Sequence, residues 1–314
     1  MIYDVIGDVH GQADKLVGLL TELGYVNNGR FFEPPANHQA VFIGDLIDRG
    51  RQQIATLEIV FAMLDAGAAL AVMGNHEYNA LAFATLDPRQ GFEGKYLRTH
   101  DKPSNVMQHQ AFMDEVGFGT PLHQFWLKRL YELPLWLELD KACFIHACWD
   151  GNAMAVVQPL LTVDNCLTQN ALQLTSYEGT EAFEALERLL KGVEVPLPHG
   201  LFFHDKEGTK REKMRVKWWQ HQLSHQPIHH IARASHSELL SIPADTLADK
   251  IDFRLTTEKP VFVGHYWLTG TPEPLSAQVV CVDYSAAKDG YLTAYQFDSD
   301  NPVISADNFV QFVC

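Results

Sequence analysis

The first eighty residues of this chain alternate short apolar runs with helix-like segments, and each apolar run stops at a glycine followed by polar residues. Ile2 to Ile6, Ala40 to Ile43 and Ala69 to Met73 read as buried strands. Between them, Gln12 to Leu23 carries Leu16, Leu19, Leu20 and Leu23 on one side, and Gln52 to Leu64 carries Ile54, Leu57, Ile59, Val60 and Met63 in helical spacing. A β-α-β-α-β order predicts an α/β protein with a mostly parallel sheet and right-handed crossovers. In such sheets ligands gather outside the carboxyl ends of the strands, where this chain places Gly7, Gly44 and Gly74. A residue without Cβ lets a tight turn bring backbone and short side chains against a ligand.

The strings at those ends are Gly7-Asp8-Val9-His10-Gly11, Gly44-Asp45-Leu46-Ile47-Asp48-Arg49-Gly50 and Gly74-Asn75-His76-Glu77, followed far along by Ile145-His146 and Gly264-His265. Asp8 and His10 are two apart, so an extended segment puts both on one face. Asp45 offers two carboxylate oxygens that can bridge two cations, while Asn75, His146 and His265 add a carbonyl oxygen and two imidazoles. A mixed nitrogen and oxygen shell without sulfur suits Mn, Fe, Zn, Co or Ni without choosing among them. Arg49 presents a planar fork of donors that stays charged at any working pH.

In this order the motifs resemble the calcineurin-like metallophosphoesterases, and within them the phosphoprotein phosphatases of bacterial type. The resemblance runs from Gly7 to His265. It implies a four-layer sandwich of two mixed β-sheets flanked by helices. Asp8, His10 and Asp45 would hold the first metal, and Asp45, Asn75, His146 and His265 the second. Arg49 and Asn75 would bind the phosphate, and His76, paired with Asp48, would protonate the leaving oxygen. Two divalent or trivalent ions are implied, manganese first, activating a bridging water for direct attack.

Two places depart from the pattern. Much of the wider superfamily continues the last motif as Gly-His-x-His, whereas Gly264-His265-Tyr266-Trp267 ends in a side chain that cannot ligate. The phosphoprotein phosphatases lack that second histidine too. Their lone histidine is typically followed by two glycines, but Ala147-Cys148-Trp149 follow His146. Those phosphatases also have a second phosphate-binding arginine. The basic stretch Lys206, Lys210, Arg211, Lys213, Arg215 and Lys217 offers Arg215, just before Trp218-Trp219, which could anchor it. Most of that cluster reads as solvated charge. His221, His225, His229, His230 and His236 follow no ligand spacing. Cys148 lacks the phosphate cradle a nucleophilic cysteine needs and reads as a small apolar residue.

The chain reads as one metallophosphoesterase domain over residues 1–314, with a mainly helical cap inserted at 151–259 that includes helices at Thr180 to Leu190 and Met214 to Leu223. That insertion and the segment Tyr78 to Leu133 are expected to set substrate choice. Strands resume at Leu135 to Leu139, Ala142 to His146, Val261 to Gly264, Val279 to Val282 and Tyr291 to Phe297. With 24 basic and 39 acidic residues the formal charge is −15, which disfavours binding to nucleic-acid backbones or anionic membranes. The 5 cysteines form no C-x-x-C pair, and no long uncharged apolar run is present, so a cytoplasmic, soluble protein is expected.

The leading expectation is a phosphomonoesterase acting on a phosphorylated protein or peptide. The alternative is a hydrolase of dinucleoside polyphosphates of the diadenosine tetraphosphate type. Asp48 and Glu77 argue against it, because such hydrolases commonly have alanine and aspartate there. A silent metal-binding scaffold would not need His76, Asp48 and Arg49 together.

Overall fold

The computed structural model describes residues 1–314 except 199, 205–209, 221, 236, 313 and 314. Lys206, His221 and His236 therefore lie outside the described residues. Ile2–Ile6 stands at the centre of a six-stranded sheet, parallel to His38–Phe42, which is parallel to Ala69–Ala71. On its other side it runs antiparallel to Tyr291–Asp298, which also carries Asp283–Tyr284 and Phe309–Phe312. A four-stranded sheet has the order Val279–Cys281, Val261–Val263, Cys143–Ile145 and Trp136–Glu138, its first three strands parallel and the last antiparallel.

Both sheets are thus mixed, and they pack face to face. Val5, Val41, Tyr295 and Phe297 from the first meet Phe144, Phe262 and Val280 from the second, all fully buried. The Phe144 and Phe262 rings stack at 5.4 Å, and Phe262 reaches across to Phe297 at 5.1 Å. Such aromatic pairs add to the burial that holds the layers together.

Helices form the outer layers. Against the first sheet lie α1 (Ala13–Glu22), burying Leu16, Leu19 and Leu20, and α2 (Gln53–Asp65), burying Leu57, Val60 and Met63. The leucine spacing of α1 is the 3.6-residue stripe expected of a helix laid on a sheet. The segment between the sheets supplies α3 (Asn75–Ala84), α4 (Pro103–Val116) and α5 (Pro121–Leu130), the last two entered through a proline whose missing N–H costs nothing in the first turn. Beyond the second sheet come α6 (Gly151–Val157), α7 (Gln169–Thr175) and α8 (Glu181–Lys191). The Thr180 hydroxyl caps α8 by accepting the Phe183 N–H.

After Lys191 the inserted segment departs from expectation. Among the described residues, the stretch Met214 to Leu223 holds no helix. Lys213–Arg215 is a strand paired with Glu194–Pro196, and the chain continues through Val216 without helical turns. The reason is legible afterwards: Met214, Val216 and Trp218 are buried while Arg215 and Lys217 between them are not, which is alternation with a period of two. Among the described residues, the segment 151–259 is helical mainly in its first forty residues, and the later described ones form short strands and loops around the four-residue helix Ile228–Ile231. It shares one continuous core with the sheets.

Candidate active site

All five motifs emerge from carboxyl ends of parallel strands at one edge of the sandwich. Gly7 to Gly11 follows Ile2–Ile6, Gly44 to Gly50 follows His38–Phe42, Gly74 follows Ala69–Ala71, His146 follows Cys143–Ile145, and Gly264-His265 follows Val261–Val263. Gly44 (φ +86°) and Gly74 are pressed together, so that a Cβ on Gly44 would stand 2.4 Å from the Gly74 nitrogen. Two loops meet there that no larger residue would allow to meet.

Asp45 is the centre of the constellation. One oxygen lies 3.6 Å from His10 Nε2 and 3.8 Å from His76 Nε2, and the other lies 3.4 Å from His146 Nε2. Asn75 Oδ1 stands 3.2 Å from His146 Nε2 and 2.8 Å from His265 Nδ1. Two donor groups that could each hold a cation follow, His10 with Asp45 and His76, and Asp45 with His146 and His265. Asp8 is absent from both, since its carboxylate accepts the backbone N–H of His265. His76, which the sequence reading kept for acid catalysis, takes part in the first group.

The electrostatics suit cations. Burial pushes Asp8 well above the usual carboxylate range, and Asp283 and Asp45 push it further. Burial also lowers His10 to about 3 and His265 well below the ordinary imidazole value, so both offer lone pairs rather than protons. His10 Nε2 and His265 Nε2 are buried without a hydrogen-bond partner. Unpaired buried nitrogens beside three buried carboxylates are costly unless a positive charge joins them, so the residues fit a metal centre.

Beside it, His76 Nδ1 lies 2.5 Å from Asp48 Oδ2. Burial alone would depress the imidazole, but Asp45 and Asp48 outweigh it and raise His76 above its ordinary value. Burial likewise works against the Asp48 carboxylate, yet His109 and His76 hold it below its ordinary value. The loop between Gly44 and Gly50 is held by Glu77, whose two oxygens accept N–H bonds from Asp45, Leu46, Ile47 and Gly74. The exposed Arg49 guanidinium stacks 4.1 Å over the Trp267 ring, which is also 5.7 Å from the His10 ring. Trp267 thus fills space beside His10 and offers no donor of its own to that group.

A cavity of about 920 Å³ opens over this group, lined by Asp45, Asn75, His76 and His265 and by four cations, Arg49, Arg51, Arg98 and Lys191. Arg215 is elsewhere. It pairs with Glu194 at 3.2 Å and lines a separate cavity with Lys213 and Arg233. Trp218 does anchor its segment, its indole N–H donating to Ala147 O and the Tyr266 hydroxyl behind the ligand loops. Cys148 is fully buried, and burial pushes its thiol well above the usual range, so it is no nucleophile. Arg98, Lys191, Gln108, His109 and Asp283 were not singled out in the sequence. Only Asp283 left a signal there, as a carboxylate at the end of the apolar run Val279 to Val282.

The site thus combines a two-sheet α/β fold with a carboxylate shared between two donor groups. Residues 1–138 match the sequence model described as calcineurin-like phosphoesterase. It is 38% identical over 149 residues to the asymmetrical bis(5'-nucleosyl)-tetraphosphatase of Oceanobacillus iheyensis, covering 47% of this chain and 55% of that one. The enzyme of the same description from Geobacillus sp. is 31% identical over 153 residues, covering 47% and 56%. The chain spans about half the length of the curated relatives it matches. A protein serine/threonine phosphatase from Saccharomyces cerevisiae shares the fold, with a TM-score of 0.50 at 12% identity over 99% of this chain and 79% of that one.

Proposed function

We propose that the chain hydrolyses phosphate esters or anhydrides with water as nucleophile and His76 as general acid. The observation that carries this reading is the 2.5 Å His76–Asp48 pair set beside the two donor groups that share Asp45. Asp8, His10 and Asp45 would hold one cation, with His76 close by, and Asp45, Asn75, His146 and His265 the other. Bound there, two cations supply Lewis acidity and lower the pKa of a coordinated water toward neutrality. Arg49 and Asn75 bind the phosphoryl oxygens, Arg49 steadied by Trp267. Asp48 holds His76 by Nδ1 so that Nε2 carries its proton toward the leaving oxygen.

For the substrate, the order set by the sequence reverses. A polyphosphorylated nucleotide is favoured over a phosphoprotein, because four cations line the cavity where a single phosphoryl group would be met by one or two. The curated relatives bear tetraphosphatase names. The objection drawn from Glu77 also weakens, since Glu77 is spent on backbone N–H groups and faces no substrate.

A panel of diadenosine tetraphosphate, phosphopeptides and aryl phosphates under Mn, Co, Ni and Zn tests the reading. Preference for the dinucleotide supports it, preference for phosphopeptides returns the phosphatase alternative, and silence throughout sinks the enzyme reading. In the same assay His76→Asn should lower turnover by at least about tenfold while both metals stay bound. Metal loss in that variant would mean that His76 is chiefly a ligand.

A further inference from the structure

The Asp48 carboxylate has two partners. His76 takes Oδ2, and His109 Nδ1 lies 2.8 Å from Oδ1, fully buried in the middle of α4. An ionised carboxylate only accepts, so the hydrogen in this second bond belongs to His109 Nδ1. The Asp48 backbone is pinned too, its N–H donating to Gln53 Oε1 at 2.7 Å. Helix α4 is itself tied down, because the Glu115 carboxylate accepts the Gln53 and Ile54 N–H groups at the start of α2. The Phe83 ring meets His109 edge-on at 5.3 Å.

We infer that His109 is the positioning residue of the acid pair: by donating Nδ1–H to Asp48 Oδ1 it fixes the carboxylate plane, and through that plane the orientation of His76. The inference rests on the general-acid reading of His76. An aspartate bound at one oxygen alone can turn about its last torsion, which is broad and nearly two-fold. Gripped at both oxygens, it cannot turn without breaking a buried hydrogen bond. Packing does not account for the histidine, since His109 Nε2 is buried without a partner and a leucine would fill the place with no stranded nitrogen. What the histidine adds is the bond to Asp48.

The test compares phenyl phosphate, a poor leaving group, with p-nitrophenyl phosphate, a good one, on the metal-loaded protein. His109→Leu should lower kcat on the phenyl ester by about tenfold and on the nitrophenyl ester by less than about threefold, with KM unchanged. His109→Asn, which keeps an N–H near the position of Nδ1, should restore the phenyl ester to within about threefold of wild type. Equal loss on both esters, or no loss, overturns the inference. If His76→Asn shows no dependence on the leaving group, it is the general-acid reading that fails. Nitrogen-15 spectra of the histidines in the intact wild-type protein give a check independent of activity and of the variants' folding. They should show a proton on His109 Nδ1 coupled to Asp48, and a bare Nδ1 overturns the inference outright.

Discussion

Six of the ten described non-glycine residues with positive φ stand in the site: His10, Asp45, Asp48, Arg49, His265 and Trp267, at φ between 49° and 71°. Left-handed backbone costs a side-chain-bearing residue about 1–3 kcal/mol and persists only where its surroundings enforce it. Glu77 is the chief enforcer for the Asp45 loop. Glu77→Ala would strand four buried N–H groups at about 1–3 kcal/mol each, and even with partial relaxation should destabilise the protein by more than about 3 kcal/mol in urea unfolding. A loss under 1 kcal/mol would mean that water replaces the carboxylate. Trp267 acts on Arg49 by a cation–π contact worth about 0.5–1 kcal/mol at an exposed site, so Trp267→Ala should raise KM about two- to fivefold with little change in kcat. An unchanged KM would show that Arg49 holds its place without the ring. Residue identities at the strand ends were legible because glycines and ligand-type side chains have few other uses in that order. The partner of Glu77 was not, since nothing in Gly74-Asn75-His76-Glu77 says that its carboxylate turns back onto another loop.

Helices α4 and α5 show where reading by element falls short. The segment after Tyr78 carries three helices, but no spacing marked His109 as a partner of Asp48, sixty-one residues away. The same helices carry a pH sensitivity. His123 on α5 is 2% exposed, and its Nδ1 accepts the Gly119 N–H at 3.1 Å. Burial, with His109 adding to it, lowers its pKa from 6.5. A depressed value means that the folded chain binds fewer protons than the unfolded one between the two pKa values. His123 therefore contributes stability above about pH 6.5 that is lost as pH falls through its folded value. Thermal midpoints should drop between about pH 7.5 and 5.5, and His123→Asn, which keeps an acceptor without titrating, should flatten that slope. Parallel slopes for the two proteins would remove His123 from the account. The misread stretch at Met214 belongs to this scale as well. Its residues have two periods in them, and only pairing with Glu194–Pro196 selects the extended one.

At the scale of the molecule, Asp8, Asp45 and Asp283 are brought into one buried group from strands that lie far apart in the chain. Their mutual repulsion opposes folding until a cation joins them, so the protein should melt higher with metal. At free Mn about a hundredfold above its dissociation constant the gain is about 2.7 kcal/mol, and a chelator should reverse it. A melting temperature indifferent to metal would contradict the binuclear assignment. No helix among the described residues is long and apolar enough to cross a membrane. By itself the sequence determined the α/β class, the strand-end placement of the motifs and the donor chemistry, because short-range periodicity and glycine positions are local properties of the chain. The tertiary structure alone decided that Asp8 turns to the His265 backbone, that His109 grips Asp48, and that Arg98 and Lys191 rather than Arg215 face the cavity. Those contacts join residues from separate elements, and their distances are set by how the two sheets, the helices and the strand-end loops pack, which no local pattern encodes.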